Sequence, residues 1–198
     1  GKDQYLVFLS ADHGAAHVAK FSVQNKLPGG AVNFGAIEKK LDSALVKKFG
    51  NYKFIEASEN MQLFLNHHII DSIGADKKNI TEFIIDFLSK QEGVDRAFDL
   101  NNLMNVPLSE KIRMRAINGY NTIRSGDIQI FFKAGWMSGS GVGTTHGSWN
   151  PYDSHIPLVW YGWKVKPGKL NRETYMTGVA GTLAAMLKIQ MPSGCIGN

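Results

Sequence analysis

The sequence predicts an α/β fold in which a mainly parallel sheet packs against layers of helices. Apolar runs of strand length alternate with amphipathic helical periods along the 198 residues, and residues with chemically active side chains directly follow predicted strands. The length suits one full-sized domain, so we expect residues 1–198 to form a single domain. Within it, residues 52–65 are expected to belong to a small accessory α+β segment with antiparallel strands.

Six segments have the pattern of strands. Residues 5–10 form a continuous apolar run that ends in serine, and residues 156–160 form another apolar run. Such runs are typical of strands that are buried on both faces of a sheet. Four further strands are predicted over residues 52–57, 61–65, 94–100 and 127–133. We therefore expect the first and the last of the six strands to lie inside the core.

Four segments have helical periodicity. The clearest one begins after Asn33, whose side chain suits an N-cap, and ends at Gly50. Its apolar residues recur every four positions, at Ile37, Leu41, Leu45 and Phe49. Three further helices are predicted over residues 79–91, 109–120 and 174–189. The alternation of these helices with the strands supports the α/β class.

Composition and charge argue against several kinds of protein. The 22 Lys and Arg residues exceed the 17 Asp and Glu residues by a formal +5. The basic residues are spread along predicted helices, as expected for solvated helix faces rather than for a nucleic-acid-binding patch. No run approaches the ~20 apolar residues of a membrane span, and one cysteine, Cys195, excludes an internal disulfide. We expect a globular domain with neither a nucleic-acid partner nor a membrane span.

A turn with two possible metal ligands follows the first predicted strand. Asp12 and His13 stand there, and Gly14 allows the backbone to turn sharply behind them. A carboxylate and an imidazole are natural zinc ligands, which bind the ion at about 2.0–2.2 Å. Asp-His-Gly turns can also serve only as caps or hydrogen-bonding turns, so both interpretations stay open from these residues alone.

A further histidine lies in a segment rich in glycine, residues 135–147, which we call the glycine loop. The loop has too much glycine to be ordered by side-chain packing alone, and a metal bound to His146 would order it. The alternative is a mobile surface loop. It is not a Walker phosphate loop, because no Gly-Lys-Ser or Gly-Lys-Thr follows the glycines. The other histidines are interpreted as turn, helix or loop-fixing residues: His17, His67, His68 and His155.

Several motifs together resemble one known family. They cover residues 9–14 (LSADHG), 124–128 (RSGDI), 144–148 (TTHGS), 152–158 (YDSHIPL), 176–177 and 182–187. In this order they resemble the bacterial alkaline phosphatases of the type I phosphodiesterase and nucleotide pyrophosphatase branch, over nearly the whole chain. The resemblance implies the C-terminal part of a three-layer αβα fold, an enzyme that hydrolyses phosphate monoesters, and a periplasmic or secreted location.

The resemblance also implies a site with two zinc ions. Asp12 and His13 would hold one zinc, His146 would hold the other, and a Thr or Ser nucleophile would attack phosphorus. In this family the nucleophile and an Asp-x-x-x-His pair lie upstream of the Asp-His-Gly turn, but only eleven residues precede Asp12 and they contain no such pair. The chain also opens with Gly1-Lys2 directly before a strand. We therefore expect a C-terminal fragment without a catalytic nucleophile, with weak or absent zinc binding and without activity by itself.

Two alternatives to a monoesterase stay open. A phosphodiesterase or nucleotide pyrophosphatase of the same superfamily would share these metal ligands, although residues 124–127 favour the alkaline phosphatase type. A non-catalytic module for metal binding or interaction would need no nucleophile. The chain also departs from the family at Gly178 and Gly181, where Asp and Pro are frequent, so the start of the last predicted helix is less firmly capped.

Overall fold

The computed structural model describes residues 1–139 and 141–197. Within these ranges the strands are β1 Leu6–Ser10, β2 Gly30–Val32, β3 Ile55–Glu59, β4 Gln62–Leu65, β5 Val94–Asp99, β6 Ile128–Phe132, β7 Trp136–Ser138 and β8 Leu158–Gly162. The α-helices are α1 Ala19–Gln24, α2 Phe34–Phe49, α3 His67–Ser72, α4 Lys77–Ser89, α5 Glu110–Gly119, α6 Pro151–Ser154 and α7 Gly178–Leu187. The chain divides into two compact units, residues 12–156 and residues 1–11 with 157–198. The single domain expected from the length stays a prediction.

The larger unit, residues 12–156, is built on a four-stranded antiparallel sheet in the order β3-β4-β6-β5. Helices α2 and α4 pack their apolar faces into the same core as this sheet, which includes the fully buried Leu41, Leu45, Ile84, Leu88 and Ile130. Burial of one such side chain stabilises the fold by about 1.5–3 kcal/mol. The sheet and the two helices therefore form a firm support for the loops of this unit.

The predicted helix after Asn33 is confirmed as α2. Asn33 Oδ1 accepts the backbone N–H of Ala36 at 3.0 Å, as an N-cap does. Gly50 ends the helix with a φ of 105°, a value that favours glycine. Helices α4 and α5 confirm two more predicted helices, and each begins within two residues of the expected position.

The last predicted helix is shorter than expected. Helix α7 begins at Gly178 rather than at residue 174, and Thr177 at its N-terminus makes no capping hydrogen bond through its side chain. Val179 is buried, but Leu187 is 53% exposed. The weak cap that the sequence indicated accounts for the late start.

Strands β1 and β8 form where strands were expected, but the prediction that they are buried on both faces is wrong. Among the described residues they pair with each other alone, in antiparallel register from Leu6 opposite Gly162 to Ser10 opposite Leu158. Leu9 is 62% exposed and Val159 is 51% exposed. A two-stranded ribbon has too little surface to cover its own faces, so its apolar side chains stay accessible.

Two short strands were not predicted. β2 and β7 form a parallel pair, with Gly30 opposite Trp136 and Val32 opposite Ser138. The other strand pairs of the described residues are antiparallel. β7 lies inside the glycine loop, so the first part of that loop belongs to a strand.

Helix α1 and the one-turn helix α6 were also missed by the sequence analysis. Both are too short for a helical period to stand out. None of the helices in the described ranges has the length and apolar character needed to cross a bilayer.

Candidate metal centre

The turn that carries Asp12 and His13 docks on helix α6 through Gly14. The backbone N–H of Gly14 donates to the carbonyl of Asp153 at 2.8 Å. A Cβ at Gly14 would overlap the backbone oxygen of Tyr152. The sequence suggested that glycine is needed here for a sharp turn, but its φ lies outside the left-handed region. Glycine is required at this position because two backbone segments approach closely.

The ring of His13 is oriented by its own turn. Its Nδ1 lies 2.7 Å from the carbonyl oxygen of Gly14, which can only accept, so Nδ1 carries the proton. This tautomer leaves the lone pair on Nε2, which lies 3.5 Å from Asp12 Oδ2. Two ligands at about 2.1 Å from a tetrahedral zinc ion are about 3.4 Å apart. The spacing of these two atoms therefore fits a shared zinc ion.

The carboxylate of Asp12 is held in its ionised form. Its Oδ1 accepts the backbone N–H of His13 at 2.9 Å. This hydrogen bond is the main reason that the pKa of Asp12 lies below its usual range, and the electrostatic influence of the neighbouring His13 and His146 acts in the same direction. An ionised carboxylate is the form that binds a metal.

His146 lies directly against His13. The two imidazole rings are stacked, with centroids 3.5 Å apart and an interplanar angle of 11°. The structure thus brings together the three residues that the sequence proposed as ligands: Asp12, His13 and His146. Ions in two-metal sites are about 3.5–4 Å apart, so the ligands of neighbouring ions lie within several ångströms of one another. Metal binding by the three side chains stays a prediction.

Hydrogen bonds order the glycine loop. Thr144 Oγ1 donates to the carbonyl oxygen of Ala16 at 2.6 Å, and the backbone N–H of Lys20 donates to the carbonyl of Gly141 at 3.3 Å. These bonds join the loop to the chain that follows the Asp-His-Gly turn. The role of a metal on His146 in ordering the loop stays a prediction, and Ser140 lies outside the described residues.

The chain beyond the glycine loop is fixed by Trp149. Its ring stacks on that of Phe131 in β6, with centroids 3.7 Å apart and an interplanar angle of 6°. The guanidinium of Arg96 lies 5.4 Å from the centroid of the Trp149 ring. Arg115 of α5 donates to Ser154 Oγ at 3.1 Å. The contacts with Phe131 and Arg96 therefore hold Trp149 against the sheet, and the bond from Arg115 ties the end of α6 to α5.

Asp153 is the residue near the centre that sequence reasoning missed. It is 5% exposed, and its Oδ2 accepts the backbone N–H of Ser148 at 2.7 Å. A signal for this helix turn was present, since Pro151 follows Asn150 and proline is favoured at the first position of a helix. With four residues, however, α6 has no periodicity that would mark Asp153 as an inward-facing residue.

The other histidines take different places. The ring of His17 packs on Phe21 with centroids 5.1 Å apart, His155 ends α6, and His67 Nε2 lies 3.1 Å from Asp127 Oδ2. In residues 1–139 and 141–197, no group of three or more His, Cys, Asp or Glu side chains is arranged to hold one metal ion. The donor set is therefore a pair, Asp12 with His13, next to the separate imidazole of His146.

Comparison with known proteins finds relatives along the whole chain, although no family model matches it. The chain is 45% identical over 200 residues to a calcium-transporting ATPase of Myroides odoratus. It is 45% identical over 201 residues to alkaline phosphatase PhoV of Synechococcus elongatus, and 40% identical over 199 residues to alkaline phosphatase PafA of Elizabethkingia meningoseptica. Each alignment covers 100% of this chain and 36% of the relative. The chain thus spans about a third of the length of these relatives.

The solved structures give the same result. The crystal structure of wild-type PafA superimposes with a TM-score of 0.91 at 40% identity, covering 100% of this chain and 38% of that one. A PafA variant gives a TM-score of 0.90. The fold is that of the matching part of PafA, and the resemblance read from the sequence motifs is confirmed. In particular, the chain is a homologue of one part of PhoV and PafA.

Proposed function

We propose that this chain is part of an enzyme that hydrolyses phosphate monoesters with two zinc ions. Asp12 and His13 would hold one ion and His146 the other. The observation that carries the proposal is the convergence of these side chains, with Asp12 Oδ2 3.5 Å from His13 Nε2 and the two imidazoles stacked at 3.5 Å. The names of PhoV and PafA support a monoesterase rather than a diesterase.

Two hydrogen bonds of this chain prepare His13 and Asp12 to bind a metal ion. The Gly14 carbonyl keeps Nδ1 of His13 protonated, so that Nε2 is free to bind a metal. The hydrogen bond from the backbone of His13 keeps Asp12 ionised. When bound, two zinc ions would activate the attacking oxygen, stabilise the leaving oxygen and neutralise charge on the phosphoryl group.

We further propose that the nucleophile and the remaining ligands come from a part of the protein outside these 198 residues. Two observations support this: the chain matches 36% of the length of its relatives, and its donors form a pair rather than a set of three or four. A catalytic zinc ion has about three protein ligands. The isolated chain is accordingly expected to hold zinc weakly and to be inactive.

Substitution of the ligands tests this function in the complete protein that contains the chain. His13→Ala and His146→Ala should each weaken zinc binding by at least about 100-fold, more than the loss of an outer contact, and should reduce hydrolysis of an aryl phosphate monoester in parallel. Zinc affinity is measured by competition with a chelator. His17→Ala is the matched control, because that ring packs on Phe21 and is not a ligand.

These measurements test the metal ligands and the substrate class separately. Unchanged zinc affinity in both ligand variants would refute the assignment of the centre. A complete protein that binds zinc but hydrolyses an aryl phosphate diester faster than the monoester would leave the metal ligands in place and refute the substrate class.

A further inference from the structure

Asp153 connects the two loops that carry the candidate ligands. Its backbone carbonyl accepts the N–H of Gly14 at 2.8 Å, beside Asp12 and His13. Its side-chain Oδ2 accepts the N–H of Ser148 at 2.7 Å, two residues after His146. One residue of α6 is thus bonded to both sides of the candidate centre.

The second oxygen of the same carboxylate has no partner. Asp153 Oδ1 is buried and makes no hydrogen bond, the one such side-chain atom in the part of the chain that the structure describes. Buried carboxylate oxygens are normally paired, because removing a charged group from water without a donor is unfavourable. A donor for this oxygen is therefore expected in the functional state.

The ring of His146 is the candidate donor. Asp153 and His146 line the same small cavity, together with Thr145, Ser148 and Tyr152. The ring of His13 has an acceptor at Nδ1, the Gly14 carbonyl, whereas the described residues provide no hydrogen bond to the ring of His146. A histidine that binds a metal through one nitrogen almost always donates its other N–H to a carboxylate, a carbonyl or water.

We propose that Asp153 is a positioning residue of the candidate zinc centre, whose free carboxylate oxygen accepts the ring N–H of His146. The inference rests on the proposed function, because it takes His146 as a zinc ligand. The carboxylate fixes the ring tautomer and makes the metal-binding nitrogen more basic. Its bonds to Gly14 and Ser148 keep the two ligand-bearing loops in register.

Asp153→Asn separates this role from a purely structural one. The amide oxygen of asparagine can still accept the N–H of Ser148, but its NH₂ group cannot accept an N–H from His146. We expect zinc binding by the complete protein to weaken about 10–100-fold. In the cobalt-substituted protein, the visible absorption bands that report tetrahedral coordination should change. Asp76→Asn is the control, because that carboxylate caps α4 outside the centre.

His146→Ala is measured alongside, so that the ligand role of His146 and the positioning role of Asp153 are tested separately. If His146→Ala weakens zinc binding and Asp153→Asn leaves both zinc affinity and the cobalt spectrum unchanged, the positioning role is refuted while the proposed function stands. If His146→Ala leaves zinc binding unchanged, the ligand role of His146 and the positioning role of Asp153 are both refuted.

Histidine-selective nitrogen NMR of the unsubstituted zinc-loaded protein gives a test that needs no folded Asp153 variant. A single fixed tautomer of His146 with a slowly exchanging N–H supports the proposal. A ring whose second N–H exchanges rapidly with water contradicts it.

Discussion

Gly14 lies where the turn with Asp12 and His13 meets helix α6. Because a Cβ there would overlap the backbone oxygen of Tyr152, Gly14→Ala must push the turn away from α6. The bond from the Gly14 N–H to the Asp153 carbonyl would then be strained or lost. We expect a loss of about 1–3 kcal/mol in the free energy of unfolding, as for other overpacked sites, together with weaker zinc binding.

Urea denaturation and chelator competition measure these two effects. Gly119→Ala is a matched control, because a Cβ at that position would meet no atom within 4 Å beyond its chain neighbours and its own helix backbone. If the Gly14→Ala protein matches the unsubstituted protein in both measurements, the close approach of Gly14 to α6 has no role in the candidate metal centre.

The candidate ligands could be proposed from the sequence because the motifs around them are jointly specific, whereas Asp153 could not. Asp12 and His13 directly follow a strand, and His146 lies in a distinctive loop motif. The relevance of Asp153 depends on contacts with Gly14 and Ser148 that only the folded chain shows. Local patterns thus point to the candidate ligands, but not to the residue that connects their loops.

At the scale of elements, Asp127 joins three of them at the start of β6. Its buried carboxylate accepts the backbone N–H of Leu65 at 2.9 Å at the end of β4. It also lies 3.1 Å from Nε2 of His67 in α3 and 3.0 Å from Nζ of Lys77 in α4. The motif at residues 124–128 therefore contains a structural anchor of the four-stranded sheet.

Asp127→Ala should lower the free energy of unfolding by about 1–3 kcal/mol, the cost of leaving a buried donor without an acceptor. The loss comes chiefly from the N–H of Leu65, because His67 and Lys77 are about half exposed and can be solvated. Chemical denaturation measures the change. Asp86→Ala serves as control, since its bond to Lys90 joins two exposed side chains and such pairs contribute at most about 1 kcal/mol. Equal effects of the two substitutions would contradict the anchoring role.

Among the elements, long periodic segments were predictable and short ones were not. Helix α2 has four apolar residues at regular spacing and a cap at each end, so its bounds were found closely. Strands β2 and β7 have three residues each, and their pairing depends on partners far apart in the chain. Three residues carry too little pattern to predict a strand.

At the scale of the whole molecule, the smaller unit is unusually apolar at its surface. Residues of β1 and β8 such as Leu9, Val159 and Tyr161 are more than half exposed. Their sequence pattern is that of buried strands, which is why burial was predicted. The sequence pattern correctly showed that these side chains are apolar. Their burial, however, also requires further strands or helices that cover the faces of the sheet, and a two-stranded ribbon does not have them.

The central claim is that this chain contributes some of the ligands of a two-zinc centre, and that other residues of the complete protein supply the rest. Calorimetric titration of zinc into the isolated chain, beside the complete protein, tests it directly. A pair of ligands such as Asp12 and His13 falls short of the three or four of a stable zinc site, and the added ligands of the complete protein should raise affinity sharply. We predict two tight zinc sites in the complete protein and weak binding, without measurable aryl phosphate hydrolysis, by the isolated chain. Tight binding of two zinc ions by the isolated chain would contradict the account.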